Sequence, residues 1–376
     1  MSESFRIDFP NCLRRDFAAE LPAAEWAVAA VVETITRSEF SSLEERSPGL
    51  KGLNWPQYIR SSLVRMVRTA HAVRSLGVTS GRLLDYGSYF GNFSLMFARA
   101  GFEVTAIDSY QSYGAALESQ QAALRRNGVT VLRFEDIGRH LEALPAGSFD
   151  IVVCLGVIEH VPHTPRLLLT ALDRVLAPRG CLVVETPNIA YLYRRQALAR
   201  GESVMPEIAV QYYADVPFEG HHREYAPHEV AWMLSQIGHV DLQVQMYLFS
   251  LYELEELRGR DLDNFRSMVA EPGMRELILA ASRKPGDGSI VAPLPTPDWR
   301  AGLAEPEQWW FREPALTGAV PPLDIAQEAL AVGLQREVNL RDEMLARLQA
   351  DMQREVALRD RMLQTLQDQV NRMSRS

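Results

Sequence analysis

The sequence predicts an α/β protein built on a doubly wound, mostly parallel sheet of seven strands. Short apolar runs alternate with helical patterns along much of the 376 residues, which is typical of a parallel sheet covered by helices on both faces. A glycine-rich turn follows the first run, and acidic residues end three successive runs. The predicted strands are residues 82–86, 102–107, 129–134, 149–155, 181–185, 242–248 and 276–281.

Helical patterns precede and connect these strands. Pro22 suits the first turn of a helix, and Gly77 ends the second helix before the first strand begins. The predicted helices are residues 22–37, 55–76, 92–99, 114–126, 166–176 and 227–238.

Changes in composition divide the chain into four parts. Residues 1–59 are predicted to form an N-terminal helical cover, and residues 60–285 form the α/β domain. Prolines and glycines then mark residues 286–325 as a linker or a segment that wraps around the domain. Residues 326–376 are predicted to form a coiled-coil helix.

The C-terminal part contains an internal repeat of 18 residues, since residues 334–351 align with residues 352–369. Apolar residues at steps of three and four form one seam over 334–373, which predicts a homo-oligomer or another coiled-coil partner. An amphipathic helix packed on its own domain or on a membrane is the alternative. The nearly balanced charge of this tail disfavours the membrane surface.

Composition limits the other classes of function. The net charge of -9 disfavours binding to nucleic acid. The three cysteines have no metal-ligand spacing, and Cys154 and Cys181 lie in apolar runs where buried thiols are expected. No signal peptide or transmembrane segment is visible, so we expect a cytoplasmic protein.

The turn after the first predicted strand has the features of a ligand-binding turn. Asp85 ends the strand, and the segment Gly87 to Gly91 leads into a helix whose free N–H groups can bind an anionic group. Asp108 ends the next strand, where an acid can hold two ribose hydroxyls. Asp136 follows the third strand, where it can accept a hydrogen bond from an adenine amino group.

In this order, the motifs resemble those of class I S-adenosylmethionine-dependent methyltransferases over residues 60–285. Tyr89 departs from the pattern because it replaces the middle glycine of the family's first motif. The segment 149–161 resembles the family's fourth strand and following loop, and 176–188 resembles its fifth strand, with Arg179 in place of a glycine. The resemblance implies S-adenosyl-L-methionine as cofactor, bound by Asp85, Gly87, Ser88, Tyr89, Gly91, Asp108, Asp136, Ile137 and Leu155.

Three histidines are candidates for a general base. His160 lies in the Glu-His-Val sequence after the fourth strand, and His221 and His222 precede the helix at 227. Capping, surface solvation and shaping of the cofactor loop are the alternative roles. These positions show no convincing cluster of metal ligands, so we predict no metal.

The resemblance implies methyl transfer to an acceptor bound near residues 188–220. Tyrosines and arginines in this segment suit a carbohydrate or an anionic group, and similar stretches occur in methyltransferases of bacterial surface-polysaccharide (O-antigen) synthesis. We therefore expect a hydroxyl of a carbohydrate or glycan precursor as acceptor. A small-molecule methyltransferase of secondary metabolism and a catalytically degenerate scaffold remain alternatives. A nicotinamide dehydrogenase is disfavoured because the turn lacks the tighter glycine spacing of that class.

Overall fold

The computed structural model contains one seven-stranded mixed sheet with the strand order β3-β2-β1-β4-β5-β7-β6. The strands are β1 (Arg82–Tyr86), β2 (Glu103–Asp108), β3 (Thr130–Arg133), β4 (Phe149–Leu155), β5 (Leu176–Pro187), β6 (Val240–Tyr247) and β7 (Leu277–Arg283). The structure describes residues 16–35, 39–41, 54–110, 117–133, 139–162, 164–205, 208–213, 220–249, 262–286 and 293–294, with a few positions between 349 and 359.

Helices surround this sheet and alternate with its first five strands. They are α1 (Leu21–Thr34), α2 (Trp55–Ser75), α3 (Asn92–Arg99), α4 (Glu118–Arg126), α5 (Arg139–Glu142), α6 (Pro165–Val175), α7 (Leu192–Ala199), α8 (Ile208–Tyr212), α9 (Pro227–Gln236) and α10 (Leu262–Ala270). Two caps agree with local sequence signals. The side chain of Asn54 accepts a hydrogen bond from the N–H of Gln57 at the start of α2, and Thr164 caps α6 in the same way.

The predicted α/β class and the number of strands are confirmed. Strands β1 to β5 pair in parallel, whereas β7 lies antiparallel between β5 and β6. Strand β5 begins at Leu176, earlier than predicted, because Leu176 pairs with Phe149 before the register shifts. Arg179 takes a left-handed backbone at this irregularity, with φ of 65°.

Alternate residues of the central strands pack against different helices. Leu83, Ile151 and Val183 belong to a buried cluster that includes residues of α1, α2 and α3. Their neighbours in the strands pack in a second cluster with residues of α6 and α9. This alternation places one cluster on each face of the sheet. Cys154 and Cys181 are buried free thiols, as predicted.

The N-terminal helices complete one of these two clusters. Ala27 and Val31 of α1 and Leu63 and Val67 of α2 are buried within it. Helix α2 runs through residue 59, where the sequence predicted a boundary between a helical cover and the α/β domain. The four-part division of the chain stays a prediction.

A buried histidine links the edge formed by β6 and β7 to helix α6. His239 lies with Nδ1 2.8 Å from Ser282 Oγ and with Nε2 3.1 Å from Asp173 Oδ1. Lys284 also contacts Asp173, at 3.4 Å. These contacts hold α6 against the start of β6 and the end of β7.

The predicted linker at 286–325 and the coiled-coil seam at 334–373 lie almost wholly outside the described residues. The described positions between 349 and 359 are helical. Residues 297–376 form a unit separate from residues 1–296. Within the described part of the chain, each helix is too short or too polar to cross a bilayer.

We expect Leu63→Ala to lower the free energy of unfolding by about 2–5 kcal/mol, because it leaves a cavity in the cluster that joins α2 to the sheet. Gln57→Ala is the matched control, since Gln57 is exposed on the same helix and such changes stay within about 0.5 kcal/mol. Urea denaturation measures both variants. Equal stability of the two would show that α2 does not contribute to the cooperative core.

Candidate active site

The turn between β1 and α3 leaves no space for side chains at two of its glycines. Gly87 has φ of 77° and Gly91 has φ of 69°, in the left-handed region that favours glycine. A Cβ atom at Gly87 would lie 2.4 Å from Cγ2 of Val157, and one at Gly91 would lie 2.7 Å from Leu124. The turn therefore packs directly against the loop that follows β4.

Tyr89 adopts a left-handed backbone conformation, which favours glycine. Its φ is 45°, although the left-handed region costs a non-glycine residue about 1–2 kcal/mol. Its N–H donates a hydrogen bond of 2.7 Å to Asp108 Oδ2, which stabilises this conformation. The Tyr89 ring lies 3.9 Å from the Phe90 ring, centroid to centroid. The turn thus keeps the path of a glycine turn and adds an aromatic side chain.

Asp108 ends β2 beside this turn and is buried. Burial raises the pKa of its carboxyl group, and hydrogen bonds from the N–H groups of Tyr89, Ser109 and Tyr110 oppose that rise. A second contact joins the same two segments, since Ser88 Oγ lies 2.8 Å from the hydroxyl of Tyr110. Tyr110 was not among the predicted site residues, although the sequence shows this aromatic residue two positions after Asp108, the predicted ribose-binding acid.

Asp85 lies beneath the turn and is only 2% exposed. Its Oδ2 accepts a hydrogen bond of 2.5 Å from Ser94 Oγ of α3. Burial, with a smaller contribution from the charge of Asp108, raises the pKa of Asp85 to about 7, while the Ser94 hydrogen bond lowers it. Asp85 therefore braces the turn against α3.

The structure describes all but two of the predicted cofactor-binding residues. Asp136 and Ile137, the predicted adenine-side pair, lie outside the described residues. Leu155 ends β4 and is buried. The N–H of the next residue, Gly156, donates to the carbonyl of Glu185 at 2.9 Å, which holds the start of the β4 loop against β5.

The loop after β4 carries a second group of polar side chains. Glu159 is buried within the short 3₁₀ helix Ile158–His160, and Thr186 Oγ1 donates to its Oε2 at 3.0 Å. Burial raises the pKa of Glu159 to about 7. The carbonyl of Glu159 accepts a hydrogen bond of 2.7 Å from the N–H of His222, which fixes the histidine segment beside this loop.

Two of the three candidate base residues meet at this point. The rings of His160 and His221 lie 4.7 Å apart in an edge-to-face arrangement. Nδ1 of His221 lies 2.7 Å from Oε1 of Glu224. Burial, then the nearby His160 and Arg194, lower the pKa of His221 to about 4, so the imidazole is neutral at pH 7. The backbone of His222, described above, anchors the segment.

The same group has a spacing that also suits a cation. Glu159, His160 and His221 each offer one ligand-type atom, and these atoms lie within 4.8 Å of one another. Such a group can share a proton or hold a divalent ion. The absence of a metal stays a prediction, which turnover with and without EDTA tests.

An ion pair that the sequence did not reveal connects α2 to β5, beside the loop that follows β4. Nε of Arg65, on α2, donates to Oε1 of Glu185 at 2.7 Å, and the hydroxyl of Tyr247 donates to the other oxygen of Glu185. A Cβ atom at Gly156 would lie 3.2 Å from Nη2 of Arg65. Helix α2 therefore contributes a charged side chain at the edge of the site.

Comparison with known protein families identifies the type of this domain. The model of a family described as "Methyltransferase domain" matches residues 59–244. The chain contains an S-adenosylmethionine-dependent methyltransferase domain. Its methyl donor is S-adenosyl-L-methionine, as the resemblance of the motifs implied.

Curated relatives of the methyltransferase domain include ubiquinone biosynthesis O-methyltransferases. The protein of this name from Psychrobacter cryohalolentis is 33% identical over 154 residues, which is 40% of this chain and 56% of the relative. One from Xanthomonas oryzae pv. oryzae is 35% identical over 124 residues, 32% of this chain and 49% of the relative. The chain thus spans about half the length of these relatives.

The solved structures that match the chain are more distant in sequence. A SAM-dependent methyltransferase from Archaeoglobus fulgidus is 17% identical, with a TM-score of 0.39, and the match covers 58% of this chain and 94% of that one. Phosphoethanolamine N-methyltransferase 2 from Haemonchus contortus is 16% identical, with the same TM-score of 0.39, over 58% of this chain and 52% of the other.

We expect Asp108→Ala to weaken the binding of S-adenosylhomocysteine roughly 10- to 100-fold, because hydrogen bonds to charged groups contribute about 1.5–3 kcal/mol. Calorimetric titration of the purified chain measures the affinity. Glu103→Gln removes an exposed acid at the other end of β2 and should bind as the wild type does. Equal affinities of all three proteins would exclude Asp108 as a cofactor ligand.

We expect the unfolding free energy of Asp85→Asn to fall less than that of the wild type between pH 5 and pH 8. A carboxyl group with a raised pKa binds its proton more tightly when folded, so its contribution to stability is lost as the pH rises from its ordinary value near 4 towards about 7. The difference amounts to about 4 kcal/mol at most for a shift of this size. Urea denaturation at each pH measures it, and parallel curves for the two proteins would contradict the burial of a charged Asp85.

Proposed function

We propose that the protein transfers the methyl group of S-adenosyl-L-methionine to a hydroxyl oxygen of a carbohydrate or glycan precursor. The observation that carries the methyl-transfer part is the position of the loop after β4. Val157 of this loop packs on Gly87 of the cofactor turn, and two residues later Glu159 binds the backbone of His222. One short loop therefore adjoins both the predicted cofactor turn and the candidate base.

The chemistry needs positioning, exclusion of water and one proton acceptor. The acceptor oxygen attacks the sulfonium methyl in line, the carbon–sulfur bond breaks, and S-adenosylhomocysteine leaves as a neutral thioether. The sulfonium is already a good leaving group, so orientation supplies much of the rate. The hydroxyl proton must pass to a base, and the neutral imidazole of His221 has a ring nitrogen that can accept it.

Aromatic side chains of residues 188–220 support a sugar acceptor. The rings of Tyr191 and Tyr193 lie 5.2 Å apart at the start of α7, and Arg194 follows them. Tyr212 and Tyr213 are exposed, at 75% and 82%. Tyrosine rings suit the apolar faces of sugars, and their hydroxyl groups can form hydrogen bonds with sugar hydroxyls.

A phenolic acceptor is the second candidate, because the curated relatives are named for ubiquinone biosynthesis. A phenol loses its proton near pH 10, much more readily than a sugar hydroxyl, so it depends less on a base. Transfer of radiolabelled methyl groups to a panel of sugars, nucleotide sugars and catechols distinguishes the two classes. Labelling of catechols alone would overturn the glycan proposal, and labelling of neither by a protein that binds S-adenosylhomocysteine would favour a catalytically degenerate scaffold.

We also propose that residues 334–373 assemble the chain into a homo-oligomer through a coiled coil. The apolar seam of the 18-residue repeat supports this assembly. Sedimentation of the full chain and of a chain ending at residue 325 tests this assembly. The same number of chains per particle in both proteins would exclude it.

We expect His221→Gln to lower kcat about 10²- to 10⁴-fold, the usual contribution of a general base, while affinity for S-adenosylhomocysteine stays unchanged. His228→Gln is the matched control, since His228 is exposed on α9 nearby. Initial rates of methyl transfer to the acceptor identified by the panel measure both variants. A His221 variant with wild-type turnover would remove this histidine from the mechanism.

A further inference from the structure

A buried carboxylate lies behind His221, on the side of its Nδ1 atom. Glu224 is 1% exposed, and its Oε1 lies 2.7 Å from Nδ1 of His221. The same oxygen accepts a hydrogen bond of 2.7 Å from Nη2 of Arg194, and the second guanidinium nitrogen contacts the other oxygen. Arg194 also donates to the carbonyl of Val204, at 3.1 Å.

We propose that Glu224, anchored by Arg194, is a positioning residue that holds His221 in the tautomer with a hydrogen on Nδ1 and a free electron pair on Nε2. This inference rests on the proposed function, since it gives the base of that reaction its orientation. Glu224 and Arg194 do not touch the reacting atoms. They act only through the imidazole.

The identities of the donor and acceptor atoms determine the tautomer of His221. An ionised carboxylate only accepts hydrogen bonds, so the Nδ1 that faces it must carry the hydrogen. In a neutral imidazole the other nitrogen is then the acceptor. The arginine keeps the buried carboxylate ionised, because guanidinium stays charged and pairs with both oxygens.

The arrangement also stabilises the product of proton transfer. When the acceptor hydroxyl gives its proton to Nε2, its oxygen takes the methyl group and His221 becomes an imidazolium ion. The positive ring then faces Glu224 through the Nδ1–H bond, and the carboxylate offsets its charge. His160 and Glu159 face the ring from the loop after β4, whereas Arg194 reaches Glu224 from α7.

Arg194 has a second effect, because it joins α7 to the segment that carries His221 and Glu224. Helix α7 begins the segment that the proposed function assigns to the acceptor, and Arg194 ties it to Glu224 and to the turn at Val204. Movement of α7 would therefore alter the support of His221. The position of the acceptor region and the orientation of the base are therefore coupled.

Nitrogen-15 NMR of the full chain tests the tautomer without knowledge of the acceptor. The protein is labelled at histidine nitrogens and saturated with S-adenosylhomocysteine at pH 7.5, and the signal lost in His221→Gln assigns His221. We expect a neutral ring with hydrogen on Nδ1 alone. A ring with hydrogen on Nε2 would overturn the proposal. The variant serves only to assign the signal, and the tautomer is measured in the wild type.

Glu224→Ala should shift His221 towards the Nε2–H tautomer and lower kcat by up to about 10⁴-fold, with unchanged affinity for S-adenosylhomocysteine. Arg200→Gln is the control, because Arg200 is an exposed arginine just after α7 that pairs only with the nearby Glu202 among the contacts of the described residues. An unchanged tautomer in Glu224→Ala would overturn the role of Glu224. A wild-type protein that does not bind S-adenosylhomocysteine would instead contradict the methyl-transfer proposal.

Discussion

Burial of carboxylates at one edge of the sheet is the constraint on which the rest of the site depends. An ionised group removed from water is costly unless hydrogen bonds or an opposite charge replace its solvation. Each buried acid at the carboxyl edge has such a partner, supplied by a neighbouring element. The acids are Asp85, Asp108, Glu159, Glu185 and Glu224, and their partners include Ser94, the N–H of Tyr89, Thr186, Arg65 and Arg194.

This constraint explains why helices outside the sheet are integral to the site. Arg65 comes from α2 and Arg194 from α7, so two covering elements supply the cations that the buried acids require. Where a full charge is not supplied, the acid keeps its proton more tightly, as the pKa values of about 7 for Asp85 and Glu159 indicate. Burial of these two carboxyl groups therefore lowers the stability of the domain at neutral pH.

Local patterns predicted the parts of this structure that depend on neighbouring residues. Short apolar runs between helical patterns predicted the seven strands, and the glycine spacing located the turn at Gly87 and Gly91. The pair of Arg65 and Glu185 lies 120 positions apart in the chain, so no local pattern could reveal it. The spacing of His221 and Glu224 is visible in the sequence, but the identity of Arg194 as their anchor depends on how α7 packs. Tyr89 departs from the glycine pattern in the sequence, yet its backbone has the positive φ that favours glycine.

The buried contacts of His239 bear on how enzymes are recognised from coordinates. Its ring bridges the serine hydroxyl of Ser282 and the carboxylate of Asp173, the same three groups that hydrolases use to attack acyl substrates. The nitrogens are exchanged relative to that arrangement, since here Nδ1 faces the serine and Nε2 faces the acid. Ser282 is also 0% exposed, so no ester could reach it. A template search based on residue types and distances alone would report a protease-like triad in a methyltransferase domain, and only solvent access and ring orientation would reject the match.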